Sequence, residues 1–219
     1  MSREMMIFTE SFWPILKAGF VVTIPLALSS FLIGIVIAVF TAVFRLSPNK
    51  LLSNLAKFYV WIIRGTPLLV QLFIIYFGLP SIGIVLNEWL AGVIAFSINF
   101  AAYASESIRG AILSVPEGQI EAAKSLGMST QQIFMRTILP QTVRIAVPSL
   151  MGNFIGLFKQ TSLASTVTIL DMMVTAQRYV SVFFATMQIY LEVAVIYLFF
   201  TTIFTFIQHQ TERYFSRYV

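Results

Sequence analysis

Charge is what this sequence has least of. Asp, Glu, Lys and Arg make up 11% of its 219 residues, against roughly 25% in an average soluble domain, too few to cover a water-facing surface. Cysteine is absent altogether, which excludes disulfides and thiolate metal sites without identifying a compartment. His209 is the single histidine, so metal binding there lacks a second imidazole. Also missing are H-E-x-x-H and G-x-S-x-G, which leaves a membrane-embedded enzyme without nucleophile or metal, and the phosphate-cradling G-x-x-x-x-G-K-[ST] pattern of an ATP site. No fixed-period repeat and no Pro/Gly/Ser linker divides the chain, which reads as one domain over 1–219.

What the chain does have is apolar bulk: 58% hydrophobic residues, 21 of them Phe, and a mean hydropathy of +0.86. That composition describes an all-α membrane protein, since helices satisfy their own backbone groups in lipid. A crossing needs about 20 mostly apolar residues, and five stretches qualify as transmembrane helices, over approximately 15–44, 60–80, 89–113, 145–170 and 187–209. The opening MSREMMIFTE carries two acids and one base; it is a poor signal-peptide start, and the run behind it reads as a retained span. Pro25 is expected to kink that span.

The formal net charge of +5 is explained by lipid and topology, not by nucleic acid. Arg45, Lys50, Lys57, Arg64, Arg109, Lys124, Arg136, Arg144, Arg213 and Arg217 fall on one side of the five spans, and Arg3, Lys17 and Arg178 on the other. The positive-inside rule then sets the N-terminus outside and the C-terminus in the cytoplasm, facing anionic lipid.

Residues 114–140 form a polar island between apolar runs. Ser114 to Glu117 fits a capping box with Pro116 in the first turn. Ile120, Ala123 and Leu126 recur at helical spacing, and Gly127 sits where a left-handed C′ glycine ends a helix. Ser129 and Gln132 make a second cap. The segment reads as two short helices on the cytoplasmic face, with the small pair Ala122-Ala123 open to a partner's backbone; an amphipathic connector resting on the interface is the plainer alternative.

The same residues resemble the EAA motif of bacterial ABC importer permeases: Glu-Ala-Ala, three residues, Gly, nine residues, Ile, any residue, Leu-Pro. Glu121, Ala122, Ala123, Gly127, Leu139 and Pro140 fall in place, while Thr137 stands at the Ile position. RGTPLLVQLF (64–73), YASESIRGAILSVPEGQIEAAKSLG (103–127), LPQTVRIAVPSLMGN (139–153) and KQTSLAS (159–165) resemble the branch that carries histidine, glutamine, arginine, cystine and related polar amino acids. Many of that branch have Asp where this chain has Gln160.

The resemblance implies a type I importer permease of MetI-like fold in a bacterial cell membrane, with 114–140 as the coupling helix region docking on an ATP-binding subunit. It implies two copies of that subunit, a second permease copy, identical or homologous, and an extracytoplasmic amino-acid-binding protein. ATP and magnesium would sit on the partner, with no cofactor on this chain. Import would proceed by alternating access, with L-cystine a candidate substrate. The rival reading is an ATP-independent channel or secondary transporter.

Intramembrane polar residues face protein or a pathway, so several are candidates for the substrate path. Gln71 and Asn99 lie mid-span, where interhelical hydrogen bonding is the alternative. Glu106 and Arg109 share a helix face, as a gate or as a helix-end pair. Asn153 lies in the fourth span beside Gly152 and Gly156, whose G-x-x-x-G spacing predicts close helix packing. Lys159, Thr161 and Ser162 interrupt that span as path lining, or as a snorkelling lysine with back-bonded hydroxyls. Glu192 is a possible amino-group contact or an interfacial acid. Arg64 to Pro67 reads as a helix start.

Overall fold

Three of the eight prolines follow a widened helical turn by two residues. The computed structural model, which describes residues 3–216 and so leaves Arg217 outside, has π-turns at Gly19–Thr23, Ile74–Gly78 and Phe134–Ile138, before Pro25, Pro80 and Pro140. In each, the residue just ahead of the proline donates to the carbonyl five positions back: Ile24 to Gly19, Leu79 to Ile74, Leu139 to Phe134. Proline lacks an N–H and its ring clashes with the carbonyl four back. The wider turn makes room for the ring; the helix passes through at Pro25 and Pro140, whereas at Pro80 it tightens into a 3₁₀ turn that ends at Ile82.

Helix α1 (Arg3–Ala18), the first π-turn and α2 (Ile24–Leu46) therefore form one helix of 44 residues, about 66 Å at 1.5 Å per residue. That is about twice the hydrocarbon thickness of a bilayer, and the helix begins well before the expected start near residue 15. Ile7, Ser11, Ile15 and Ala18 make a buried stripe on α1.

Helix α3 (Lys50–Gly65) is capped by Asn49, whose side chain accepts from the Leu51 and Leu52 N–H groups. The expected single span over 60–80 is broken: α4 (Leu68–Phe73) and the turns following it to Ile82 leave at 105° to α3. Pro67 is the cause, since the residue before a proline is pushed out of the helical region, and Thr66 is extended at φ −124°, ψ 146°.

Helix α5 (Glu88–Leu113) starts on Asn87, whose side chain accepts from the Leu90 N–H. Helix α6 (Glu117–Ser125) follows, then a continuous helical run made of α7 (Thr130–Ile133), the third π-turn and α8 (Leu139–Gln160). The second of the two expected short helices is thus the leading end of a long one, because Pro140 is accommodated by the π-turn. The stretch expected as one span over 145–170 changes at Gln160 into a 3₁₀ segment, Thr161–Val167, and left-handed Thr168. Asp171 caps an unanticipated α9 (Met172–Phe183) through the Val174 N–H, and α10 (Thr186–Ser216) closes the fold.

No strand occurs among the described residues. Helix α5 lies at the centre, between α2 and α8. Its Ala91, Ala95, Ala101, Ala102 and Ala104 are buried, and Gly34 of α2 lies so close that a Cβ there would stand 2.6 Å from Phe100 Cδ1 and 3.1 Å from the Ser97 carbonyl. A second cluster joins Ile7 and Ile15 of α1 to Phe154, Phe158, Ile189, Ile196 and Phe200. Phe31 links the two through edge contacts with Phe100 and Phe154 at 5.2 and 5.1 Å. Arg3–Leu46 and Thr186–Phe215 are long and apolar enough to cross a membrane, and the bent α3–α4 pair is a third if taken as one span. Helices α5 and α8 have the length, 26 and 22 residues, and are more polar because they carry the site.

Candidate functional site

Asn99, Tyr103, Glu106 and Gly110 lie on one face of α5, at helical spacing. Between this face and α8 opens a cleft of about 140 Å³ lined by Asn99, Tyr103, Gly152, Asn153, Gly156 and Gln160. The two glycines do not make the expected tight helix contact: a Cβ on Gly156 would meet nothing within 4 Å, and one on Gly152 only Gln208 Nε2 at 3.8 Å. They hold the cleft open instead. Asn153 Nδ2 donates to Ser107 Oγ at 3.0 Å, and Ser149 Oγ donates to the same hydroxyl at 2.9 Å.

Behind Asn99 stands Gln71, which is 8% exposed and does not line this cleft. The bend at Thr66-Pro67 strips the last turn of α3 of helical donors, and the Gln71 amide supplies them. Its Nε2 donates to the Ile63 carbonyl at 2.8 Å, the Thr66 carbonyl at 3.1 Å and Thr66 Oγ1 at 2.8 Å. Its Oε1 accepts from Asn99 Nδ2 at 3.0 Å. One amide chain therefore ties the broken helix to the wall of the cleft.

On the other flank of Tyr103 lies a larger cleft, about 470 Å³, lined by Arg45, Lys57, Trp61, Arg64, Tyr103 and Glu106. Glu106 is held between Arg45, from the end of α2, and Arg109, whose Nη2 is 3.0 Å from Oε2. The expected pair is thus a triad that fastens α2 to α5. Arg64 stacks its guanidinium over the Tyr103 ring, 5.1 Å from the centroid.

The other expected path residues lie apart from these clefts. Lys159 is exposed. Thr161 is fully buried and donates to the Phe158 carbonyl at 2.6 Å, and Ser162 donates to the Lys159 carbonyl at 2.9 Å; both hydroxyls back-bond to the helix. Glu192 is buried against α1, with Oε2 accepting from Ser11 at 2.6 Å. The α1 extension supplies that partner.

In the cytoplasm-assigned segment, Pro116 and not Ser114 precedes α6, without a side-chain cap, and Ser114 Oγ donates back to the Ala111 carbonyl at 2.8 Å. The other end is as expected. Met128 N–H donates to the Ala123 carbonyl at 3.2 Å and Gly127 N–H to the Lys124 carbonyl at 2.9 Å, with Gly127 at φ +73°, which is a Schellman termination. Ser129 and Gln132 then form a reciprocal capping box. Glu121 and Ala122 are exposed, but Ala123 is only 5% exposed and turned inward, so the small pair is not jointly open. Leu139 is half-buried and Pro140 exposed. Leu126 is 81% exposed, with Phe134 and Met135 also open.

Sequence reasoning missed Tyr103, the Arg45 partner of Glu106, and Gln160 as a lining residue. Only the position of Tyr103, four residues after Asn99 and three before Glu106, held a signal.

A family model described as the inner membrane component of binding-protein-dependent transport systems matches residues 30–217. The chain is 44% identical over 211 residues to the L-cystine transport system permease protein TcyB of Bacillus subtilis, covering 96% of this chain and 90% of that one. It is 42% identical over 208 residues to the nopaline transport system permease protein NocM of Agrobacterium fabrum, covering 90% and 86%. Among solved structures, an amino acid ABC transporter with histidines superposes at a TM-score of 0.89 with 34% identity, over 94% of this chain and 96% of that one. An inward-facing MetNI methionine ABC transporter shares the fold at a TM-score of 0.68 and 19% identity, over 98% and 99%.

Proposed function

Because this chain belongs to the family of inner membrane components of binding-protein-dependent transport systems, we propose that it is the permease subunit of an ABC importer for a polar amino acid, with L-cystine the first to test. One observation carries the mechanism: α5 bears the polar stripe and, three residues past its end, leads into the exposed α6. A rigid helix that walls the path is thus joined to a short lever outside it.

Glu121, Ala122, Pro140 and the exposed Leu126 and Met135 offer the docking surface to an ATP-binding subunit, while Ala123 and Leu139 seat the lever on the fold. Gly127 sets the turn. The chemistry of ATP and magnesium belongs to the partner, and this chain contributes no catalytic group. Two ATP-binding subunits, a second permease copy and an extracytoplasmic binding protein complete the assembly, with five spans, the N-terminus outside and the C-terminus in the cytoplasm.

In the path, Asn99 and Asn153 present amides to the substrate, with Gln160 on the same cleft. Gln71 positions Asn99, and Glu106 closes the cytoplasmic side through its two arginines. Thr161, Ser162 and Glu192 hold helices in place.

The test is reconstitution with the ATP-binding subunit and the binding protein in proteoliposomes. ATP-dependent accumulation of radiolabelled L-cystine, and ATPase activity stimulated by liganded binding protein, are the expected results. Flux through this chain alone, without ATP, overturns the reading in favour of a channel or secondary transporter.

A further inference from the structure

The larger cleft has more positive charge than its own residues can neutralise. Lys57 and Arg64 are seven positions apart on α3 and so share a face; both are exposed, and neither pairs with a carboxylate among the described residues. Arg64 sits over the Tyr103 ring. Glu106 is the one acid in the lining, and it already faces two cations, Arg45 and Arg109. Arg64 and Arg109 also repel Arg45 electrostatically. With Arg45, Lys57 and Arg64 set against a single carboxylate in the lining, the cleft is net positive and favours a negative group over an ammonium.

We propose that the cleft between α3 and α5 is an oxyanion site, with Lys57 and Arg64 as its binding cations and Tyr103 as the partition between it and the amide-lined cleft. Tyr103 lines both spaces, so a group leaving Asn99 and Asn153 passes one ring, pinned by Arg64, to reach the cations. The ligand chemistry is a carboxylate or phosphate oxygen. Resting on the permease reading, the first source is the carboxylate of the amino acid on its way to the cytoplasm; the second is the headgroup of an anionic lipid.

The experiment uses the assembled transporter, with its ATP-binding subunits and binding protein, reconstituted in neutral phosphatidylcholine and in phosphatidylcholine with phosphatidylglycerol. The double variant Lys57→Gln/Arg64→Gln is compared with wild type and with Lys57→Arg/Arg64→Lys, which keeps both charges. The replaced side chains are exposed, so no cavity forms, and co-purification with the ATP-binding subunits checks assembly. Losing hydrogen bonds between charged groups predicts about a tenfold fall in initial L-cystine uptake or more.

If the substrate carboxylate is the ligand, the Gln variant loses uptake in both lipids, keeps binding-protein-stimulated ATPase activity, and is rescued by the charge-keeping variant. If the headgroup is the ligand, wild type in neutral lipid falls to the level of the Gln variant, and native mass spectrometry finds phosphatidylglycerol retained on wild type and lost from the variant. Equal uptake and equal lipid retention in all three proteins overturn the oxyanion site. Should wild type transport no L-cystine at all, that substrate assignment fails, and lipid retention alone decides the site.

Discussion

Helix α5 buries Ala91, Ala95, Phe96, Phe100, Ala101, Ala102 and Ala104 along its length, whereas α6, three residues further on, buries only Ala123. The first is specified by contact: small residues let α2 and α8 approach, and each side chain has neighbours. The second is specified by its ends, a Schellman turn at Gly127 and a capping box at Ser129, with apolar Leu126 turned out. On the permease reading, a segment that gains so little from its own fold is shaped for another surface. Damage to α5 should therefore appear as lost stability, and damage to the α6 turn as lost coupling in a stable protein.

The sharpest way to break this contrast is Gly34→Leu at the α2–α5 seam. A Cβ alone would stand 2.6 Å from the Phe100 ring and 3.1 Å from the Ser97 carbonyl, and the backbone cannot yield without parting the helices. Overpacking of this kind costs about 1–3 kcal/mol or more. Thermal unfolding in detergent should fall well below wild type, with loss of co-purified ATP-binding subunit. An unchanged melting temperature would show that contact does not specify α5.

Next in size is Gln71→Leu, which removes the donors that cover the bend. The Ile63 and Thr66 carbonyls and the Asn99 amide lose their partner; of these residues only Asn99 is buried, and an unsatisfied buried group costs about 1–3 kcal/mol. Asn99→Leu should cost less stability, because the Gln71 bonds to α3 survive it. The two variants thus separate the structural amide from the one facing the path: the first is read in the melting temperature, the second in uptake.

The elements legible from the sequence were those fixed by local chemistry. Ser129 announces a helix start through its own side chain, and Gly127 a helix end through its backbone freedom. What escaped depends on distant pairing. Glu192 reads as an isolated acid until α1 brings Ser11 to it, and Glu106 pairs with Arg45 from another helix. Arg64 to Pro67 reads as a helix start from the sequence, but the 105° angle there depends on Gln71 satisfying the carbonyls at the bend. The prolines at 25, 80 and 140 announce a disturbance, but not that a π-turn precedes each of them.

The smallest effect on stability, and the one most telling for the comparison, belongs to Gly127. Its φ of +73° is left-handed, and a Cβ there would meet nothing within 4 Å, so the cost of a substitution is conformational and not steric. Alanine should lose about 1–2 kcal/mol locally, whereas Asn, which tolerates this region, should lose little. Because only Ala123 and Ile133 of α6 and α7 are buried, fraying of this turn need not unfold the rest. Both variants should melt with wild type. Gly127→Ala should show weakened ATPase stimulation by the binding protein and slower uptake, with Gly127→Asn close to wild type. If Gly127→Ala couples normally, the left-handed turn does not hold the lever; if it melts early, α6 is part of the core after all.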